Sequence, residues 1–307
     1  MDGIIPLKKP KGLTSHDCVK KIRSITGIKK AGHTGTLDPN VEGVLPICLG
    51  EATKVIPFLQ QLKKVYIAEV TLGTATTTED ADGEVIERKE MLDPPTDAEI
   101  EAALQSFIGE IKQTPPMYSA VRVKGKRLYE YARENKSVER PERTVTIYDI
   151  KRRKDLEELK DNASFTIEVS CSKGTYIRTL AVDIGKRLGY PAHMSKLIRI
   201  ETDSFTIDET VTFSELEKAK EEDRLDELIL PVGRALRHLP KIQVGHALKK
   251  RVLQGQKLRQ PKEKLNAPFV IMHQHELLAI YEYDKRERGK IKPVRVFNMH
   301  KSEGEKS

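Results

Sequence analysis

Tryptophan is absent from this 307-residue sequence, and aromatic residues make up only 5% of it. Stacking platforms for sugars are therefore scarce, and a glycoside hydrolase would in addition want two paired carboxylates flanking a sugar cleft. Cysteine is almost as rare. Cys18, Cys48 and Cys171 lie far apart, form no Cys-x-x-Cys pair and cannot all be disulfide bonded. That usage predicts a reducing cytoplasm and small buried apolar thiols rather than metal ligands. No apolar run approaches the roughly 20 residues a bilayer-spanning helix needs. The opening Met1-Asp2-Gly3-Ile4-Ile5-Pro6 lacks the basic and apolar regions of a secretory signal. Neither a Walker loop nor a dinucleotide-binding glycine fingerprint occurs.

Positive charge is plentiful. Charged residues make up 33% of the chain, the net charge is +8 and the pI is about 9.1. Lys and Arg in such excess suit a polyanionic partner, because nucleic-acid affinity rests largely on neutralising phosphates. Residues 1–30 hold eight basic side chains against two acidic ones. The stretch from Glu217 to Glu227 is mostly acidic and reads as a solvated helix face.

Strand and helix patterns mix without a strict βαβ rhythm. The predicted fold class is α/β in the α+β sense: a mixed, largely antiparallel sheet with flanking helices, followed by a small β-rich domain. Gly3–Leu7 and Val44–Leu49 read as strands. Thr14 or Ser15 can cap a helix carrying Val19, Ile22 and Ile25. Residues 31–43 read as a tight loop and Ala52–Gln61 as a helix. Tyr66–Leu72, Arg143–Arg153 and Ser164–Ser170 alternate as strands do, and Ala98–Phe107, Lys126–Asn135 and Thr175–Leu188 have helical spacing. Three domain ranges follow: residues 1–235 as the larger domain, 240–300 as one short helix and three strands, and 301–307 as a flexible tail.

The densest chemical constellation is Gly32-His33-Thr34-Gly35-Thr36-Leu37-Asp38-Pro39. Glycines permit a tight fold that brings His33 near Asp38, and Pro39 restricts Asp38 to an extended conformation. A carboxylate held this way suits a nucleophile or a base; the same spacing also suits an Asx-type turn in which Asp38 merely bonds its own backbone. Ser15-His16-Asp17 names triad residues, but contiguous side chains on a helix diverge. His273-Gln274-His275 can place two imidazoles on one strand face, without a third ligand. Cys171 to Arg178 reads as a strand-to-helix junction, with Thr175 as a potential cap. Arg178 falls in the first helical turn, where the helix dipole disfavours a cation. It is either a surface arginine or one with an anionic partner.

At these residues the sequence resembles the TruB family of tRNA pseudouridine synthases, in its bacterial stand-alone form. The resemblance runs in order through Gly3-Ile4-Ile5, Lys9-Pro10-Lys11-Gly12, Gly32 to Pro39, Lys64-Val65-Tyr66, Thr78 to Gly83, Gln113 to Ala120, Arg140-Pro141 and Ser172 to Arg178. It implies the pseudouridine synthase fold, with a C-terminal domain similar to a degenerate PUA domain that binds RNA. The implied activity is isomerisation of the T-loop uridine of tRNA, position 55, to pseudouridine after base flipping, without a cofactor. Asp38 would be the catalytic carboxylate and Arg178 its partner. Tyr66 would stack on the target uracil, and His33 would fill the gap that the base leaves. Lys9 would support the loop, and Leu197 would line the pocket. Ile200 and Asp203 depart from the family pattern, which weakens the transfer of pocket contacts near Leu197. The chain begins almost at its first motif and has a short C-terminal domain, which favours a stand-alone enzyme with no obligate protein partner; a monomer is the default expectation, and the lack of long apolar runs predicts no membrane association. Two other readings stand beside this one: a non-catalytic RNA-binding module, which has no need of a carboxylate facing RNA, and an RNA-guided relative working inside a larger particle.

Overall fold

A computed structural model describes residues 2–157, 163–202 and 204–298. The 301–307 tail and the Asp203 departure lie outside them. The chain forms two compact units, one taking in the chain up to Gln60 together with the chain after Thr202, the other Gln61–Thr202.

In the first unit, β1 (Gly3–Lys9) leads through the Lys11-Gly12 turn into α1 (Ser15–Thr26). Thr14 caps α1 by accepting from the Asp17 amide while the Asp17 carboxylate accepts from Thr14, a reciprocal capping box. The left-handed Gly27, φ 73°, ends the helix. Val19, Ile22 and Ile25 face a core shared with Ile5, Leu7, Leu45, Ile47 and Leu49. The supposed loop over 31–43 contains a short strand, β2 (Ala31–His33), which pairs antiparallel with β3 (Glu42–Leu49), as β1 does. Ala52–Gln61 is not one helix. Gly50–Val55 is a 3₁₀ turn, and α2 (Ile56–Leu59) begins beside Pro57. Proline lacks the N–H needed inside a helix and is tolerated only in its first turn.

The second unit is a sheet with helices against it. Its elements are β4 (Lys64–Leu72), the hairpin β5 (Thr74–Thr76) and β6 (Val85–Arg88), α3 (Asp97–Gln105), β7 (Gly109–Gln113), the hairpin β8 (Arg122–Val123) and β9 (Lys126–Arg127), α4 (Leu128–Arg133), β10 (Arg143–Arg152), β11 (Ser164–Cys171), α5 (Ile177–Arg187) and β12 (Ala192–Thr202). The main strands run in the order β12-β4-β11-β10-β7, all antiparallel. The apolar stripe of α5, Ile177, Leu180, Ala181 and Ile184, is buried as its spacing predicts.

The chain then returns to the first unit through β13 (Phe205–Thr206), α6 (Phe213–Glu221) and α7 (Val232–Ala235). The acidic face of α6 is solvated, with Glu217 pairing with Lys21. Five strands follow instead of three: β14 (Lys241–Gln243), β15 (Leu258–Arg259), β16 (Phe269–His273), β17 (Glu276–Tyr283) and β18 (Lys290–Val296), with α8 (His246–Leu253) after β14. Their order is β14-β16-β17-β18-β15, parallel only at β14-β16. Val252, Phe269, Ile271, Leu278, Tyr281 and Ile291 form a separate core.

At the β17-β18 turn Asp284 is 2.7 Å from the Lys257 ammonium and accepts from the Arg286 amide at 2.9 Å. Lys257 first, and the amide next, hold its carboxyl down to about 2. A carboxylate with a folded pKa below its unfolded value stabilises fully above the unfolded value and loses that contribution as pH falls through the folded one. Acid therefore weakens this turn between about 3.8 and about 2. In Asp284→Asn the stability-versus-pH curve, followed by tyrosine fluorescence, should be flatter across that window; an unchanged slope would remove the role assigned to Asp284.

Candidate active site

Asp38 sits half-buried in a loop that buried side chains fix on both sides. Lys9, the last residue of β1, is fully buried, and its ammonium donates to the carbonyls of Pro10, Pro39 and Val41 at 3.0, 2.9 and 2.6 Å. Ser15, the first residue of α1, donates its hydroxyl to the Leu37 carbonyl at 3.1 Å and accepts from the Leu37 amide at 2.9 Å. The Gly12 amide reaches the Pro39 carbonyl at 2.9 Å, and the Val41 amide reaches the Asp38 carbonyl at 3.1 Å. The residues on either side of Asp38 are thus held through their backbones. Burying an ammonium is costly unless it is well bonded, and three carbonyls supply that compensation. His33 ends β2 opposite Ile47, and the Thr34 amide donates to the Pro46 carbonyl at 3.2 Å. Of the loop's glycines, Gly43 has a φ of 119°, reserved for glycine, whereas Gly32 matters for space: a Cβ there would lie 2.9 Å from Ile56.

Arg178 belongs to the second unit, in the first turn of α5, and is 5% exposed, which rules out a surface arginine. One guanidinium nitrogen donates to the Thr78 carbonyl and lies 3.6 Å from the Asp80 carboxylate; the other terminal nitrogen donates to the Tyr118 carbonyl, both bonds being 3.0 Å. The anionic partner that the dipole argument demands is met in part by Asp80, to which the sequence reading gave no role. Gly83 lets this turn close, since a Cβ there would meet Thr78 atoms at 2.4 and 2.7 Å. Thr175 does not cap α5; its hydroxyl donates to the Ser172 carbonyl at 2.9 Å. Gln113 takes over, its side-chain oxygen accepting from the Tyr176 amide at 3.0 Å and its amide nitrogen donating to the Tyr176 carbonyl at 3.2 Å.

Tyr66, in β4, is buried and paired with Val169 of β11 and Arg199 of β12. Directly opposed residues of antiparallel strands share a face, and residues two apart on one strand do too. Leu197, opposite Ala68 and half-buried, therefore lies on the face of Tyr66 and Arg199. Arg199 is 1% exposed and is a further buried cation that sequence reasoning left without a role. Its signal was an arginine at an inward position of an alternating strand. Lys9, His33 and Asp38 thus belong to one unit, and Tyr66, Arg178 and Leu197 to the other.

The remaining chemical groups stay quiet. All three cysteines are buried and free. Burial pushes the Cys48 thiol up to about 12 and Cys171 to about 11, which suits packing rather than nucleophilic work. His275 does not share a strand face with His273, because β16 ends at His273 and Gln274 turns the chain with a φ of 54°. Among the described residues no group of three His, Cys, Asp or Glu side chains could hold a metal ion, and no helix is long and apolar enough to cross a membrane.

Each unit thus holds one group fit for chemistry, a carboxylate on a backbone-pinned loop in the first and a buried arginine clamped by carbonyls in the second. Two family models match the chain: the TruB family pseudouridylate synthase (N terminal domain) over residues 23–177, and the tRNA pseudouridylate synthase B C-terminal domain over residues 178–237. The chain belongs to the TruB family of pseudouridylate synthases, and it is an isomerase. The protein of Oceanobacillus iheyensis named tRNA pseudouridine synthase B is 54% identical over 301 residues, spanning 97% of this chain and 98% of its own. Its namesake in Halalkalibacterium halodurans is 49% identical over 298 residues, spanning 96% and 97%. Among solved structures, a chain of an H/ACA RNP bound to a substrate RNA containing 2'-deoxyuridine is similar with a TM-score of 0.73 and 27% identity, over 96% of this chain and 84% of that one.

Proposed function

We propose that this enzyme acts on transfer RNA and isomerises the T-loop uridine at position 55, with Asp38 as its catalytic carboxylate. The observation that carries the reading is the bracing of the Asp38 loop by Lys9 and Ser15 through backbone groups, which holds the residues on either side of the carboxylate in place. Relatives of nearly equal length bear the name tRNA pseudouridine synthase B, which supports the choice of RNA. The reaction breaks the bond from ribose to uracil N1, turns the base and joins the ribose to C5, which releases the C5 proton. Nothing is oxidised and no group is imported, so the chemistry calls for no cofactor.

A stacked base is out of reach, so the uridine must flip out at a cost of a few kcal/mol. Stacking on Tyr66 can return about 1–3 kcal/mol, with His33 filling the vacated place and Leu197 lining the pocket. Arg178 supplies the permanent positive charge that a partly buried catalytic carboxylate needs to stay anionic. Residues 1–235 form the catalytic domain and 240–300 a PUA-like RNA-binding domain; the family models ending at residue 237 and the separate five-stranded core support that boundary. Between residues 241 and 298 stand fourteen Lys and Arg against five Asp and Glu, an excess larger than the whole chain's net charge of +8. The enzyme works as a monomer in the cytoplasm, a reducing compartment that suits its three free thiols.

The direct test is tritium release from unmodified tRNA labelled at uridine C5, which should yield one equivalent per tRNA; no release from tRNA would refute the reading. Binding should also be steeply salt-dependent. If six or more phosphates are engaged, affinity falls about 10³-fold or more between roughly 50 and 200 mM salt. A flat response would remove the electrostatic part of the argument.

A further inference from the structure

Glu79 stands between the two anchors of Arg178 and departs from local preference twice. Its backbone is left-handed, with φ 65°, a conformation that suits glycine or asparagine and strains other residues. Its carboxyl is half-buried, and that burial pushes its pKa up. Such a group stabilises the fold when protonated and loses that contribution as pH rises, so at neutral pH its charge is a burden on the fold. Neither feature helps the turn to form.

The contacts of the side chain explain why it is kept. One carboxylate oxygen accepts from the Thr179 hydroxyl at 2.7 Å, directly after Arg178 in α5. The other lies 4.0 Å from the Arg140 guanidinium, which donates to the Pro115 carbonyl at 3.0 Å. The carbonyls that clamp Arg178 come from the same two segments, Thr78 beside Glu79 and Tyr118 three residues after Pro115. The Glu79 carbonyl accepts from the Met194 amide at 3.1 Å, which fixes the turn to β12. One carboxylate thus ties the 77–83 turn, the first turn of α5 and the basic segment 113–140 around a single guanidinium.

We infer that Glu79 is a positioning residue for Arg178, holding the turn that supplies Thr78 and, through Arg140, the segment that supplies Tyr118, so that the guanidinium is set for the reaction. The inference rests on the proposed role of Arg178. It couples the seating of the 113–140 segment to the placement of Arg178 without any contact between Glu79 and the substrate.

The test uses the full-length enzyme with unmodified tRNA and compares Glu79→Gln, Thr179→Val, the double variant and Arg178→Ala. Glu79→Gln keeps an acceptor for Thr179 but loses the charge facing Arg140. Its single-turnover rate of pseudouridine formation should fall roughly 2- to 30-fold, the span seen when network residues remote from the ligand are changed. The Kd for tRNA should stay within about twofold and the thermal midpoint should hold or rise, because a charge that its surroundings disfavour has gone. The double variant should be no slower than the slower single one, because both act through one linkage. A wild-type rate in Glu79→Gln, or a rate loss matched by weaker tRNA binding, overturns the inference. Arg178→Ala separates the two claims. If it is nearly inactive while Glu79→Gln is unaffected, only the positioning role fails; if it keeps full rate, the reading of Arg178 itself has failed.

Discussion

Asp38→Asn should lose pseudouridine formation by at least about 10²–10⁴-fold, the span that a positioned acid or base contributes, while tRNA binding stays near wild type or tightens. Other side chains brace the loop. Lys9 holds the Pro39 and Val41 carbonyls, and Ser15 holds both backbone groups of Leu37. Asparagine has the same size and leaves all of these bonds in place. Removing a negative charge that faces a polyanion costs the complex nothing. Single-turnover assays beside filter binding separate the effects: equal loss of rate and affinity would make Asp38 a folding or binding residue instead.

Arg178→Lys should be nearly as damaging despite keeping the charge. The guanidinium spans two carbonyls, Thr78 and Tyr118, with separate nitrogens, and approaches Asp80 with one of them. An ammonium is a single point on a flexible stem and cannot reproduce that fork. Leaving one buried carbonyl unpaired costs about 1–3 kcal/mol, and about 1.4 kcal/mol is tenfold in rate. A fall in kcat of roughly 10- to 100-fold is therefore expected. Wild-type turnover in Arg178→Lys would show that planarity at this position is irrelevant to the reaction.

The parts of the fold that were legible in the sequence share a local cause. Thr14 and Asp17 stand at capping-box spacing, and Val19, Ile22 and Ile25 repeat at the helical period, so α1 follows from the order of residues alone. The long strands β4, β10 and β11 likewise show their period of two. What stayed hidden is short or set from a distance. β2, β14 and β15 span two or three residues each, too few for any alternation to register, and exist because β3, β16 and β18 have backbone groups left to pair with them. The helix expected over Ala52–Gln61 failed on a local signal that was present, Pro57, whose missing N–H lets an α-helix start there but not pass through.

The site divides the same way. Asp38 drew notice in its glycine-rich loop, Arg178 by its place against the helix dipole, and Lys9 only through the family resemblance. Thr78, Gln113 and Tyr118 did not stand out, because their work is done across 60 to 100 residues of sequence through main-chain carbonyls and a side-chain amide, and Asp80 acts across a similar span through its carboxylate. Any residue supplies a carbonyl, so composition and spacing are blind to that part of the clamp. An arginine placed against its helix dipole was the available clue. Following it to the acidic run at Glu79 and Asp80 would have found both.

The central claim is that the Asp38 carboxylate rearranges a single tRNA uridine, and nucleotide-resolution mapping of pseudouridine in unmodified tRNA tests it most directly. Wild-type enzyme should leave one pseudouridine, at the T-loop uridine, and Asp38→Asn at equal saturation should leave none. Pseudouridine formed by the asparagine variant at the wild-type rate, or a wild-type pattern without the T-loop uridine, would contradict the account.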